Sequence, residues 1–246
     1  MIKKVNFTSW WIFALIAFSI FILLQIPASW LVSKFYKNNQ SLQNVSGNIW
    51  QGQADWKKGQ LRGSVSWSTR PLDLLLFRLG ANIELRSGNS QLDGVVAYRF
   101  GEIIIDSMQG QISPETLKNV ADWQWPTNSI QVKDLDFKYK KNKGFTNAKG
   151  DLQWSGGELI YTFSQRLNNM NVPSLKGKLA DENSKLIFDV RDQKDQKMVN
   201  LVIDQELMMD LQLTQRLLLN VPSYDGKAGL DTFVISTRQP LIKGGA

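Results

Sequence analysis

The sequence contains neither cysteine nor histidine. Without cysteine, the chain forms no disulfide and no thiolate metal site. Without histidine, it lacks the most common general base and transition-metal ligand, which excludes Ser-His-Asp and Cys-His catalysis. The phosphate-binding glycine motifs and the G-x-S-x-G and S-x-x-K nucleophile motifs are also missing. These absences predict a protein that is not an enzyme, with no cofactor and no metal site.

The chain is basic, with 29 Lys and Arg against 22 Asp and Glu among 246 residues, a net charge of +7. The basic residues are scattered and form no concentrated basic helix, so we expect no nucleic-acid partner. Such an excess is typical of a solvated surface or of a domain beside anionic phospholipid headgroups. Asp134 and Asp136 are two residues apart and could hold a metal, but a solvated strand face with Lys138 and Lys140 explains them better.

An uncharged apolar stretch lies near the beginning of the chain. From Trp10 to Ile26 there is no charged residue, and Gln25 is the only strongly polar one. A helix over residues 10–32 is about 34 Å long and matches a hydrocarbon core of about 30 Å. We therefore predict a single transmembrane helix there, in contact with the phospholipid bilayer. Its predicted anchor residues are Trp10, Trp11, Phe13, Phe18, Phe21 and Trp30.

A short basic N-terminus before such a span is typical of a signal anchor whose N-terminus stays inside. The alternative is a cleaved signal peptide that ends near Pro27-Ala28-Ser29. With the anchor, the predicted segments are a cytoplasmic N-terminus over 1–9, the anchor over 10–32, a juxtamembrane linker over 33–44 and a β-rich domain over 45–246.

Beyond the linker, apolar and polar residues alternate, which predicts half-buried antiparallel strands. The pattern is clearest where Leu135, Phe137 and Tyr139 interleave with aspartates and lysines. Strands recur at intervals of about ten residues, so we predict an all-β fold with minor α. The predicted sheet is an antiparallel meander with one apolar face. Glycines before several apolar pairs allow bulges and strong curvature, and so predict a groove. Their repetition reflects hairpin chemistry or two related halves, 45–125 and 126–246.

Two segments interrupt this pattern and predict short helices that cap the curved sheet. In the first, Pro71 suits a helix start and Gly80 a helix stop. Its leucines form one helical stripe, and we expect them to cap the groove: Leu72, Leu75, Leu76 and Leu79. In the second, Ser113 and Pro114 begin a helix whose apolar side carries Leu117, Val120 and Ala121.

Nine tryptophans are more than a core of this size needs. The candidates for a partner interface are Trp50, Trp56 and Trp67. Trp56 is the strongest of the three, because Asp55, Lys57 and Lys58 make its surroundings polar.

Several motifs follow one another along the chain: the apolar stretch, Val45-Ser46-Gly47-Asn48-Ile49-Trp50-Gln51-Gly52-Gln53-Ala54, Trp67, the segment from Arg70 to Gly80, and Gly150-Asp151-Leu152-Gln153-Trp154-Ser155-Gly156-Gly157. This order of motifs resembles protein N of the bacterial type II secretion system. The resemblance implies a non-catalytic inner-membrane protein with a periplasmic β domain. It also implies an accessory role in moving folded proteins across the outer membrane. The partners it implies are inner-membrane and periplasmic secretion components and the outer-membrane secretin.

A second hypothesis comes from the one-sided strands. They are similar in pattern to AsmA-like proteins, whose curved sheets hold lipid on an apolar inner face. This alternative predicts a lipid-binding or lipid-transfer groove of the cell envelope.

Overall fold

The computed structural model describes residues 7–35, 41–119, 123–163, 166–222 and 224–240. It begins with two helices, α1 (Phe7–Gln25) and α2 (Ala28–Phe35). The predicted continuous helix is interrupted between them because Pro27 has no N–H to donate and disfavours helical geometry at Ile26. Among the described residues, no helix combines the length and the apolar character needed to cross a membrane. The transmembrane helix predicted over 10–32 is therefore not supported.

Fifteen strands follow among the described residues. They are β1 (Leu42–Gly47), β2 (Gln51–Lys58), β3 (Leu61–Thr69), β4 (Leu79–Ser87), β5 (Ser90–Arg99), β6 (Glu102–Ile112), β7 (Ile130–Lys140), β8 (Gly144–Trp154), β9 (Gly157–Phe163), β10 (Arg166–Val172), β11 (Leu175–Glu182), β12 (Lys185–Asp192), β13 (Lys197–Ile203), β14 (Met208–Thr214) and β15 (Phe233–Pro240). The sheet thus begins at Leu42, inside the segment predicted as a linker.

Thirteen of these strands form one open antiparallel sheet, in the order β1 to β8 and then β11 to β15. Strands β9 and β10 form a separate hairpin that is inserted between β8 and β11. The prediction of an all-β antiparallel meander is therefore confirmed, apart from this insertion. Strand β6 pairs with β7 across the predicted boundary between two halves, so one sheet contains both. Their relationship remains a prediction.

The sheet has one apolar face, as the alternation predicts. Cross-strand pairs keep apolar residues opposite each other; examples are Val65 with Leu85, Phe188 with Leu201, and Leu201 with Leu211. The residues between them on β3, Ser64, Ser66 and Ser68, lie on the other, polar face. We call the side defined by these apolar pairs the apolar face.

The C-terminal part of the sheet curls around its apolar face. The Tyr139 hydroxyl on β7 donates to the Gln205 carbonyl in the turn after β13 at 3.1 Å. In a flat sheet, four strand spacings would hold β7 and β13 about 19 Å apart. The curl encloses a core of Phe145, Leu179, Leu186 and Ile203, against which Leu135, Phe137, Tyr139, Ala148, Phe188, Leu207 and Met209 pack.

The helices differ from the prediction. The first is a 3-10 helix over Pro71–Leu76 that ends where Phe77 adopts φ 53, so Leu79 and Gly80 belong to β4. The second, α3 (Pro114–Lys118), begins after Ser113 as expected, while Val120 and Ala121 lie outside the described residues. A further helix, α4 (Gln215–Leu218), has the Thr214 hydroxyl as its N-cap, which accepts from the Leu217 N–H.

Candidate binding surface

The apolar face is half-exposed over the N-terminal strands. Between β2 and β6 it presents Val65, Ile83, Val96 and Ile105, each of intermediate exposure. The buried core cluster lies under the C-terminal strands. The sheet therefore offers an extended apolar surface that the chain itself covers only in part, and such surfaces are typical of binding sites.

Two of the predicted interface tryptophans belong to this face. Trp56 on β2 lies opposite Gly63 on β3, and Trp67 on β3 lies opposite Gly52 on β2. A Cβ on Gly63 or Gly52 would come within 2.7 or 2.5 Å of the facing indole, so each glycine leaves room for a ring to lie across its strand. The Trp56 and Trp67 indole N–H groups donate to the Ser64 and Asn48 carbonyls.

Trp50 lies apart from this pair, in the turn between β1 and β2, and is half-buried. Another aromatic group forms beside the inserted hairpin. Trp123 stacks on Trp125 with ring centroids 5.5 Å apart, and Trp125 lies 6.1 Å from Trp154. Of these tryptophans, Trp50, Trp56 and Trp67 were the predicted interface candidates. The sequence did not bring Trp123, Trp125 and Trp154 together, because their contact depends on the hairpin insertion.

The leucines predicted to cap the groove point to solvent. Leu72 and Leu75 are each 77% exposed, and Leu76 and Leu79 are more than half exposed. The residue of this segment that turns inwards is Asp73, which is 5% exposed and accepts from Arg78 Nη2 at 3.1 Å. A 3-10 turn has three residues per turn, so it breaks the helical stripe on which the capping prediction depended.

The predicted anchor residues of α1 also lie exposed: Trp10, Trp11, Phe13, Phe18 and Phe21 are each more than half exposed. Trp30 is on α2, not α1, and its ring carries the Lys34 ammonium 4.9 Å from its centroid. The helical part of the chain therefore presents a second exposed apolar surface.

The polar face carries isolated ion pairs. Asp136 on β7 accepts from the Ser107 N–H and pairs with Lys149 at 3.0 Å, and this hydrogen bond raises the pKa of Lys149 above 10.5. Asp189 likewise raises the pKa of Arg191 through a hydrogen bond. Within the described residues, no group of three or more Asp and Glu side chains could hold a metal.

A sheet with an open apolar face is compatible with many functions. The family described as type II secretion system (T2SS), protein N, matches residues 38–218, which is well over half of the chain. The chain belongs to this protein N family. The match runs from before β1 to the end of α4, so it covers most of the large sheet. The resemblance found in the sequence is therefore confirmed.

Membership in the protein N family assigns the chain to type II secretion and to association with other secretion components in the cell envelope. The family is a non-catalytic part of that machine. No curated protein and no solved structure matches the chain.

Proposed function

We propose that the chain is a non-catalytic accessory component of type II secretion at the inner membrane. In this proposal the residues of α1 contact lipid, and the sheet docks onto periplasmic and inner-membrane secretion components or the secretin. The family match over residues 38–218 is the observation that carries the proposal. The exposed apolar side chains of α1 support the lipid contact, since water is a poor solvent for them.

The open edges of the sheet support docking through a partner strand. In the described sheet, β1 pairs with β2 alone and β15 pairs with β14 alone. Each therefore presents one row of backbone N–H and C=O groups to solvent, which is a template for strand addition. The β1 edge is distorted by a register shift after Gln43, where Asn44 has φ 50. Strand β15 has its register shift only near its start, beside Phe233, and pairs regularly from Ile235 to Pro240, so it is the stronger docking candidate.

In-cell photocrosslinking tests this role. A crosslinker at Thr237 on β15 is expected to capture a secretion component in secreting cells. The control is Asn82, an exposed residue on the polar face of β4, which is expected to give no such product. Equal products from the two positions, or normal secretion in cells that lack the chain, would contradict the proposal.

The half-exposed apolar face supports a second candidate function, lipid binding in the groove. Acyl chains would cover side chains such as Ile83 and Val96, and the favourable transfer of apolar area would drive binding. Native mass spectrometry of the full chain released from detergent is expected to show bound phospholipid. Replacing Ile83 with Asp should remove that lipid. A lipid-free mass for the wild-type chain would exclude this function and leave docking unaffected.

A further inference from the structure

One end of the large sheet carries a group of exposed apolar residues. The α1–α2 junction pairs with the β1–β2 turn there, through a bridge between Pro27 and Asn48 and a bond from the Ile49 N–H to the Ile26 carbonyl at 3.1 Å. Because the sheet is an antiparallel meander, the β3–β4, β5–β6 and β7–β8 connections lie at the same end. We call this the proximal end and the opposite one the distal end.

The apolar residues at the proximal end belong to neighbouring strands and turns. Leu79 pairs with Tyr98, Tyr98 with Ile103, and Ile103 with Tyr139, so this row crosses β4 to β7 within about 15 Å. Beyond the row, the exposed side chains of the two turns extend the patch: Leu72, Leu75, Leu76, Phe77 and Phe100. Contiguous exposed apolar surface of this kind marks an interaction site in a protein that is otherwise stable in water.

At the same end, the β5–β6 and β7–β8 turns are basic, whereas the turns of the C-terminal strands carry Glu182, Asp204 and Glu206. The turns over 99–102 and 140–144 contain Arg99, Lys140, Lys141 and Lys143, with Glu102 as their one acidic residue. The Arg99 guanidinium lies 5.6 Å from the centroid of the Phe100 ring, so charge and apolar surface are adjacent. Basic residues around an apolar tip suit an anionic lipid surface, where cations meet headgroups and apolar side chains enter the acyl boundary.

The 3-10 segment over Pro71–Leu76 is attached to the sheet through its buried Asp73, while its leucines are exposed to solvent. Asp73 is held by Arg78, and Arg78 also pairs with Asp106 on β6 at 3.0 Å. These contacts attach the 3-10 segment to the sheet, while its leucines project outwards. The loop is therefore ordered before it binds, which lowers the entropy cost of insertion.

We propose that the proximal end docks on an anionic phospholipid surface by inserting the exposed residues of the 3-10 segment and the β5–β6 turn. This contact rests on the proposed lipid association of α1, which leaves the same end of the sheet, and adds a second attachment point. Together they hold the sheet upright, with its distal end directed away from the bilayer. A cavity of about 690 Å³ lined by Tyr98, Ile103, Tyr139 and Leu207 opens at this end, next to the bound surface.

Site-specific fluorescence tests this proposal, because the cysteine-free chain accepts one label at a chosen position. The full chain carries an environment-sensitive dye at Leu75→Cys and is reconstituted into vesicles of phosphatidylglycerol and phosphatidylethanolamine. We expect a blue shift and a higher intensity. The same dye at Gln60→Cys, in an exposed turn at the distal end, is expected to show no shift. Vesicles of phosphatidylcholine alone are expected to give a smaller shift at Leu75→Cys.

Charge reversal provides the matched comparison. Lys141→Glu with Lys143→Glu is expected to abolish the difference between the two vesicle types, while Lys57→Glu with Lys58→Glu at the distal end leaves it unchanged. All four lysines are exposed, so neither pair of changes disturbs the core.

A third label distinguishes the lipid contact of α1 from that of the proximal end. A shift at Ile16→Cys in α1 without one at Leu75→Cys would overturn the lipid contact of the proximal end and leave that of α1. Absence of both shifts would overturn both. A shift at Leu75→Cys that appears only with other secretion components would also overturn the lipid contact and assign this end to a protein partner.

Discussion

At the scale of single residues, Asp73 organises the connection between β3 and β4. It is buried beside Gly80, where a Cβ would lie 1.9 Å from its Oδ2 atom. The same oxygen accepts from Arg78 Nε and Nη2 at 3.2 and 3.1 Å. Glycine at position 80 and aspartate at position 73 therefore depend on each other, and the apolar residues between them are left on the outside.

Replacing Asp73 with alanine should destabilise the fold by about 1–3 kcal/mol, because the Arg78 guanidinium loses its Nε and Nη2 hydrogen bonds to this carboxylate and retains the one to Asp106. Chemical denaturation monitored by circular dichroism measures the change. The control is Asp195→Asn, which suits the positive φ of this position and removes a 3.3 Å ion pair between Arg191 and the 86% exposed Asp195 side chain. That change should cost less than about 1 kcal/mol. Equal costs for both variants would show that the Asp73 contacts are not structural.

At the scale of elements, bulges modify the long central strands. Ser107 on β6, Asp134 on β7 and Asn147 on β8 all have positive φ inside their strands. The register shifts beside Ser107 and Asp134 in the β6–β7 pair, and beside Asp134 and Asn147 in the β7–β8 pair. A backbone N–H that a bulge removes from the ladder needs another acceptor. Asp136 accepts from Ser107 N–H, and Asp181 accepts from Ala148 N–H at 2.6 Å.

The Asp136 carboxylate, which accepts the N–H at the β6 bulge, also affects the titration of Lys149. Asp136, first through its hydrogen bond and then through its charge, raises the pKa of Lys149 above 10.5, so the pair stabilises the folded state fully below pH 10.5. This contribution disappears as the pH rises through the raised pKa. Asp136→Asn should return the pKa towards 10.5, as measured by NMR titration of the lysine side chain.

Asp134→Asn is the control for that titration, because Asp134 contributes less to the shift than Asp136 does. Most of the raised pKa should therefore persist in this variant. A wild-type Lys149 that titrates at its ordinary value would show that the pair does not form in solution.

At the scale of the whole molecule, one hydrogen bond reports on the curl of the sheet. Tyr139 on β7 reaches the turn between β13 and β14 across the core. Tyr139→Phe should lower the free energy of unfolding by about 0.5–1.5 kcal/mol, as measured by urea denaturation.

Tyr98→Phe is the matched control for that change. Tyr98 is on the same face, and among the residues that the structure describes its hydroxyl forms no hydrogen bond. Its loss should have no measurable effect on stability. An equal change in both variants would mean that the contact to Gln205 does not stabilise the curl.

The sequence predicted the strands well because alternation is a local property. Leu135, Phe137 and Tyr139 lie on one face of the strand independently of contacts with the rest of the chain, since side chains alternate along a strand. Asp134 was misjudged in the same segment. It was expected to share a face with Asp136, but φ 47 at Asp134 interrupts the alternation, and a bulge leaves no clear local signal.

The candidate site was predicted only in part for a similar reason. Leu72 and Leu75 have helical spacing, yet the segment forms a 3-10 turn that is held by Asp73 and Arg78 from outside the stripe. The hairpin of β9 and β10 that interrupts the predicted meander was also missed, because three asparagines break the alternation of β10. Both errors concern residues whose arrangement depends on contacts with distant parts of the chain.

The sequence by itself determined that this is a one-sided β protein of the protein N family without cysteine or histidine chemistry. Periodicity, composition and motif order are properties of the chain and need no contacts to be read. Only the tertiary structure decided which apolar residues are covered and which are not. Burial depends on how strands, turns and the inserted hairpin meet in space, and that outcome left Leu72, Leu75 and Phe77 exposed at the proximal end.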